Sequence, residues 1–231
     1  MKAVILCAGK GTRLGHLTAT CPKVMLPIKG KPLLEHHIAW LSRYGVRDFY
    51  VNLHYLPNVI TDYFRDGSRF DVRIVYSFEE ELRGTAGALK GFRDELSETF
   101  LVLYGDVYSE LNIFEMLSFH RRMKSVATLV VHPTDRPHDS DIVLLDEDTK
   151  VTSVHHRPGT SQYGNLGNAG CYLLDARALL YIPDQDGQCD FIKDIFPGMI
   201  AAGEPLYGYC TDEFLLDMGT LDRYEKLKGA L

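Results

Sequence analysis

The first half of the chain alternates short, mostly apolar runs with stretches of helical spacing. The runs are Lys2–Ala8, Asp48–Leu53, Val72–Phe78 and Phe100–Tyr104, and each reads as a buried strand. Between them, Leu33–Tyr44 repeats its apolar residues at helical intervals, with Pro32 near its start and Gly45 just past its end. Asn58–Arg65 predicts a short helix closed by Asp66-Gly67, and Ala86–Leu96 predicts another. Strands and helices in alternation imply a mostly parallel sheet covered on both faces.

Beyond a helix predicted over Ile113–Met123 the pattern changes. Ala127–His132, Asp141–Asp146 and Val151–His155 are short β-branched runs separated by turn chemistry such as Asp146–Thr149, which suggests antiparallel additions. Cys171–Leu174 and Leu206–Cys210 read as further strands. Asp190–Ala202 reads as a helix capped by Asp190, and Leu221–Leu231 as a closing helix. With no repeat, low-complexity tract or linker, the expectation is one α/β domain over residues 1–231. It is Rossmann-like, with a mixed, mostly parallel sheet and helices on both faces. Trp40, Leu41 and Tyr44 fall on a predicted helix and are assigned to the core.

Composition narrows the function. At 45% hydrophobic and 24% charged, the 231 residues can bury a full core. A formal net charge of -6 without a long Lys/Arg run argues against nucleic acid as a partner, yet leaves room for a few cations around one small anion. The five cysteines include no CxxC pair, so neither a disulfide framework nor a zinc site is expected. The apolar run from Ala3 to Ala8 is too short for a membrane span. A cytoplasmic protein is expected, with no membrane partner and the oligomeric state left open, a homo-oligomer included.

Candidate chemistry concentrates where the first strand meets Gly9 and Gly11. Glycines there let the backbone approach a ligand, with successive N–H groups aimed at phosphate oxygens. Arg13 adds a permanently charged fork, and Lys23, after Pro22, adds a second cation. A dinucleotide fingerprint is excluded by Leu14, where glycine is required, and by Asn52, where an acid is wanted. A triphosphatase P-loop lacks its Gly-Lys-Ser/Thr. On the glycines alone, a tight turn with surface charges remains open.

The fuller pattern is more specific. Ala8-Gly9-x-Gly11-Thr12-Arg13-Leu14, followed by Pro22-Lys23-x-Met25-Leu26-Pro27-x-x-x-Lys31-Pro32, resembles the signature of the sugar-1-phosphate nucleotidylyltransferases, the sugar-nucleotide pyrophosphorylase family. Gly84-Thr-Ala-Gly-Ala-Leu89, Gly105-Asp106, Asn168-Ala-Gly170 and Asp217-Met-Gly-Thr220 match later segments in order. The likeness stops where longer relatives append a left-handed β-helix, so a GT-A-like nucleotidyltransferase fold without that domain is expected.

The resemblance implies transfer of a nucleoside monophosphate from a nucleoside triphosphate to a sugar 1-phosphate, with release of pyrophosphate. By the same likeness Asp106 and Asp217 bind Mg²⁺, a role that hard carboxylate oxygens suit. Arg13 and the Gly9–Thr12 backbone hold the leaving phosphates, with Leu6 and Ala8 leading into them. Lys23 bridges the α-phosphate. Gly84 and Thr85 belong to the nucleotide side.

On the sugar side the resemblance assigns Asn168 and Gly170, and Arg157 as the phosphate cation. Relatives carry Glu-Lys-Pro where this chain has His156-Arg157-Pro158, which puts the acidic sugar contact in doubt. The base rests on less. Glu79-Glu-Glu-Leu-Arg-Gly-Thr-Ala-Gly-Ala88 resembles mannose and heptose guanylyltransferases, which implies GTP, with Glu79 or Glu80 accepting from the guanine edge. A solvated acidic turn explains those glutamates equally well. A uridylyl- or thymidylyltransferase, and a non-catalytic regulatory subunit that binds nucleotide sugar, are the alternatives.

Overall fold

The computed structural model describes residues 1–185 and 187–230. In chain order it opens with strands β1 (Lys2–Leu6), β2 (Pro27–Ile28) and β3 (Lys31–Pro32), then helix α1 (Leu33–Arg43) and strand β4 (Asp48–Leu53). Helix α2 (Pro57–Phe64), strand β5 (Arg73–Phe78), the single turn α3 (Gly84–Gly87), strand β6 (Phe100–Tyr104), strand β7 (Val107–Ser109) and helix α4 (Ile113–Arg122) follow. Next come β8 (Ala127–Pro133), β9 (Ile142–Leu145), β10 (Val151–His155) and β11 (Leu166–Leu174). The remainder is α5 (Phe196–Ala201), β12 (Leu206–Cys210), β13 (Leu215–Asp217) and α6 (Leu221–Ala230). The tip of the expected last helix, Leu231, lies outside the described residues.

Contacts gather the chain into two compact units: residues 1–82, 103–111 and 213 onward, and residues 83–102 and 112–212. In the first unit β1, β4 and β5 pair in parallel, Leu6 opposite Asn52 and Leu53 opposite Phe78. Ala3–Ile5 and Phe49–Val51 are fully buried, as expected of parallel strands covered on both faces. Lys29 and Gly30, both at positive φ, turn β2 back onto β3. This hairpin contributes Ile28 to a small core with Leu14, Leu26, Leu33, Met218, Tyr224 and Leu227. That core ties the segment after β1 to α6. β13 pairs antiparallel with β7. Of the three residues assigned to the core, Trp40 and Leu41 are buried, with Trp40 Nε1–H donating to the Leu111 carbonyl at 3.1 Å, whereas Tyr44, just past the end of α1, is only half-buried.

In the second unit β8 lies between β11, antiparallel, and β12, parallel, while β9 pairs antiparallel with β10 and β11. The sheet is therefore mixed. Tyr172, Phe191 and Phe196 pack with ring centroids 5.1–5.4 Å apart in its core.

Three expectations are corrected here. The helix expected over Ala86–Leu96 is one α turn continued as a 3-10 helix, Ala88–Glu95. The strand expected at Cys171 begins at Leu166, so Asn168–Gly170 lies in a strand, at a break in its register with β8. Asp190 does not cap the following helix, which opens with a π turn at Phe191–Ile195. Its carboxylate instead accepts from both the N–H and the hydroxyl of Thr85, each at 3.0 Å. Thr85 can present both donors because Gly84, at φ +77°, lies flat on Cys189: a Cβ on Gly84 would stand 2.5 Å from the Cys189 carbonyl oxygen.

Two buried histidines set a pH dependence. Burial pushes His37 and His120 from 6.5 down to about 4, and His120 Nδ1 lies 2.8 Å from the Thr128 hydroxyl. Between those values the unfolded chain binds more protons than the folded one, so stability is full above about pH 6.5 and falls as pH drops towards 4. Urea unfolding of wild type and His120→Gln from pH 7 to 4 checks this. The variant is expected to lose less of its own stability over that window.

Candidate active site

The exit of β1 is fixed by an amide. Asn52, at the matching level of β4, accepts the Cys7 N–H at 2.8 Å through Oδ1 and donates from Nδ2 to Glu79 at 2.8 Å. Asn52 and Glu79 are only 3% and 1% exposed. Past this anchor the chain is exposed at Gly9 and Lys10. Gly11, at φ +65°, packs on Lys23, whose Cβ would lie 3.1 Å from an added Cβ. Thr18 Oγ1 donates to the Gly11 carbonyl at 3.1 Å and closes the 3-10 helix Thr12–Thr18. Within that helix Leu14 is buried in the small core while Arg13 is exposed.

The end of β6 is placed with equal care. Gly105 N–H donates to the Leu6 carbonyl at 3.0 Å, and a Cβ on Gly105 would stand 2.6 Å from that oxygen. The Gly105 carbonyl faces His37 Nε2 at 3.0 Å. A carbonyl only accepts, so the neutral imidazole carries its proton on Nε2.

Asp106 follows directly, and its carboxylate pairs with the Lys23 ammonium, which is 8% exposed. Burial pushes the Asp106 carboxyl up, but Lys23, assisted by Arg13, outweighs it and holds the group below the usual range. The Cys7 thiol is driven far up, by burial and then by Asp106, so it is not a nucleophile.

Asp217, the last residue of β13, completes the cluster. Met218 N–H donates to the Asp106 carbonyl at 2.9 Å, tying the two acidic segments together. The Asp217 carboxylate accepts from Gly219 N–H and from Arg223. Burial, and then the Asp106 charge, push its carboxyl up; Lys23 and Arg13 pull the other way. A Cβ on Gly219 would stand 2.6 Å from Asp217 Oδ1 and 2.9 Å from Arg13 Nη2, so glycine is what lets these two charges close over the backbone. Three cations thus surround two carboxylates, and the surplus is positive.

Among the described residues no group of three or more His, Cys, Asp or Glu is arranged to hold a metal. Two carboxylates whose charges oppose each other still suit a magnesium ion, which binds through one or two carboxylates and takes its remaining ligands from phosphates and water.

The other sequence-derived residues divide between the units. Leu6, Ala8, Gly9, Gly11 and Thr12 join Arg13, Lys23, Asp106 and Asp217 in the first, as does Glu80, which is exposed. Gly84, Thr85, Arg157, Asn168 and Gly170 belong to the second. There Thr85 is engaged by Asp190. Asn168 donates to the Tyr172 hydroxyl at 2.7 Å, and Gly170 has φ +68°. Arg157 is exposed at φ +37°.

His37 and Arg223 carry no motif signal; Gly219 lies in a motif without a role of its own, and Asn52 and Asp190, read as a departure from a fingerprint and as a cap, instead hold Cys7, Glu79 and Thr85 in place. Asn52 is the last residue but one of β4, and an amide inside an otherwise apolar, buried strand is the sequence signal for such an anchor.

The nucleotidyl transferase family model matches residues 2–231. The chain belongs to this family. Among its curated relatives, a UTP–glucose-1-phosphate uridylyltransferase of Synechocystis is 33% identical, covering 100% of this chain and 63% of the relative. A mannose-1-phosphate guanylyltransferase of Mycobacterium tuberculosis is 34% identical, covering 94% and 61%. The chain thus spans about three fifths of the length of these relatives. The solved structure of HddC from Yersinia pseudotuberculosis superposes with a TM-score of 0.82 at 25% identity, covering 99% of this chain and 98% of that one, and HddC has also been solved with GMP-PN.

The two glycines of the nucleotidyl transferase loop and strand end should part company on substitution. Gly105→Ala forces a methyl against a backbone carbonyl and is expected to cost about 1–3 kcal/mol of unfolding free energy. Gly9→Ala enters space with nothing within 4 Å, and should shift stability by less than about 0.5 kcal/mol. Denaturant midpoints of the two variants provide the check.

Proposed function

We propose that this chain transfers a nucleoside monophosphate from a nucleoside triphosphate to a sugar 1-phosphate and releases pyrophosphate. The supporting observation is the cluster of Arg13, Lys23, Asp106 and Asp217 beside a glycine loop at the ends of β1 and β6. Two polyanions repel each other, and a site that joins them has to neutralise that repulsion while holding them in line.

In this reading an oxygen of the sugar phosphate forms the new bond to the α-phosphorus. The bond from that phosphorus to the β-phosphate bridging oxygen breaks, and its electrons leave with pyrophosphate. The nucleophile is already an anion, so no side chain need act as base. Arg13 and the Gly9–Thr12 backbone bind the departing phosphates. Lys23, held ready by Asp106, turns to the α-phosphate. Asp106 and Asp217 would hold magnesium, whose bound charge supplies further neutralisation of the phosphates.

We infer GTP as the nucleotide and a manno-configured hexose or heptose 1-phosphate as the acceptor. The Mycobacterium tuberculosis relative and the GMP-PN complex of HddC support this choice. The Synechocystis relative, at 33% identity, supports a uridylyl reading instead.

Pyrophosphate release with Mg²⁺, five nucleoside triphosphates and a panel of sugar 1-phosphates tests both levels. The expected outcome is release that needs both substrates, is fastest with GTP and drops about 10²–10³-fold in Asp106→Asn. Faster turnover with UTP sinks the base assignment and keeps the reaction. Silence across the panel, with nucleotide sugar still bound, contradicts the reaction and favours the regulatory subunit.

A further inference from the structure

The second unit contains a cavity of about 460 Å³ whose lining includes His155, His156, Tyr163 and Lys193. Its size is that of a small-molecule site. Two features give it a chemical character. His155 and Tyr163 are stacked, with ring centroids 3.8 Å apart and planes 14° from parallel, and so present a rigid aromatic wall. His156 Nδ1–H donates to Asp141 Oδ1 at 2.7 Å.

Asp141 is not isolated from the residues already discussed. Its own carbonyl accepts the Asn168 N–H at 2.7 Å. Among the described residues no other side chain hydrogen-bonds to its carboxylate, which is 22% exposed. A carboxylate is an acceptor only, so a partly exposed one held by His156, itself a lining residue of a cavity with an aromatic wall, selects a ligand rich in hydroxyl donors with an apolar face. A pyranose has both.

Resting on the reading above, we propose that Asp141, steadied by His156, is a hydroxyl-reading residue of the sugar 1-phosphate site, and that the His155–Tyr163 stack is the wall for the C–H face of the ring. The acidic contact that the family pattern places at position 156 is thus supplied by the residue just before β9, and His156 positions it. A half-exposed His–Asp pair contributes little to stability. Its removal therefore separates recognition from folding.

The test varies the sugar 1-phosphate at saturating triphosphate. Asp141→Asn should raise KM for the sugar about 10–100-fold, the loss expected for a hydrogen bond to a charged group, and leave KM for the triphosphate within about twofold. Its melting temperature should stay within about 2 °C of wild type. A series of monodeoxy sugar 1-phosphates supplies the sharper readout. One analogue should be penalised in wild type yet bind Asp141→Asn no worse than the parent sugar does. Tyr163→Ala should raise the sugar KM without that selectivity.

An unchanged sugar KM in Asp141→Asn, or a penalty spread evenly over all analogues, overturns the proposal. If wild type turns over no sugar, the reaction fails on its own, and saturation-transfer NMR with the sugar 1-phosphates decides this point separately. Binding lost in Asp141→Asn retains the site, and no binding to wild type overturns it.

Discussion

Two carboxylates that feel each other's charge in a half-buried site need cations to hold them there, and the first unit is arranged around that requirement. Asp106 has Lys23 against it and Asp217 has Arg223, with Arg13 acting on both. Neither carboxylate is in the same condition. Lys23 holds Asp106 below the usual range, whereas burial and Asp106 push Asp217 above it. Lys23 thus favours the charged form of Asp106, while burial and its acidic neighbour disfavour that of Asp217.

The scaffold explains why these groups cannot drift apart. Parallel pairing sets Leu6 beside Asn52, and the Asn52 amide then clamps Cys7 and Glu79. Gly105 rests on the Leu6 carbonyl, so the exit of β1 and the end of β6 are tied together directly. Met218 N–H binds the Asp106 carbonyl and brings Asp217 to the same place. Each contact is backbone geometry or a buried polar pair, which is stiffer than the exposed salt bridges elsewhere on the chain. A neutral, buried His37 belongs to this frame and not to the chemistry.

Much of the frame could be read from residue order, for a physical reason. Asp48–Leu53 and Phe100–Tyr104 have in the structure the bounds that their apolar runs imply, because a strand buried on both faces admits little else. Lys23, Asp106 and Asp217 stood out because a motif carries them.

What escaped notice depends on partners distant in sequence. Leu166–Gly170 is too rich in glycine and polar residues to read as strand, yet pairing with β8 and β9 makes it one. β7 and β13 are three residues each, and each is a strand only in the other's company. Asp190 is a good cap in isolation, but Thr85, 105 residues away, offers it two donors. Asp141 shows its relation to Asn168 and His156 only once β9, β10 and β11 are assembled.

Titrating GTP into wild type and Asp217→Asn, with and without Mg²⁺, asks whether the two carboxylates of the proposed site make triphosphate binding depend on a divalent cation. Mg²⁺ is expected to strengthen binding to wild type by about tenfold or more. In Asp217→Asn the metal-free affinity should equal or exceed that of wild type, and most of the Mg²⁺ enhancement should vanish. An enhancement as large in the variant as in wild type would show that Asp217 holds no part of the metal.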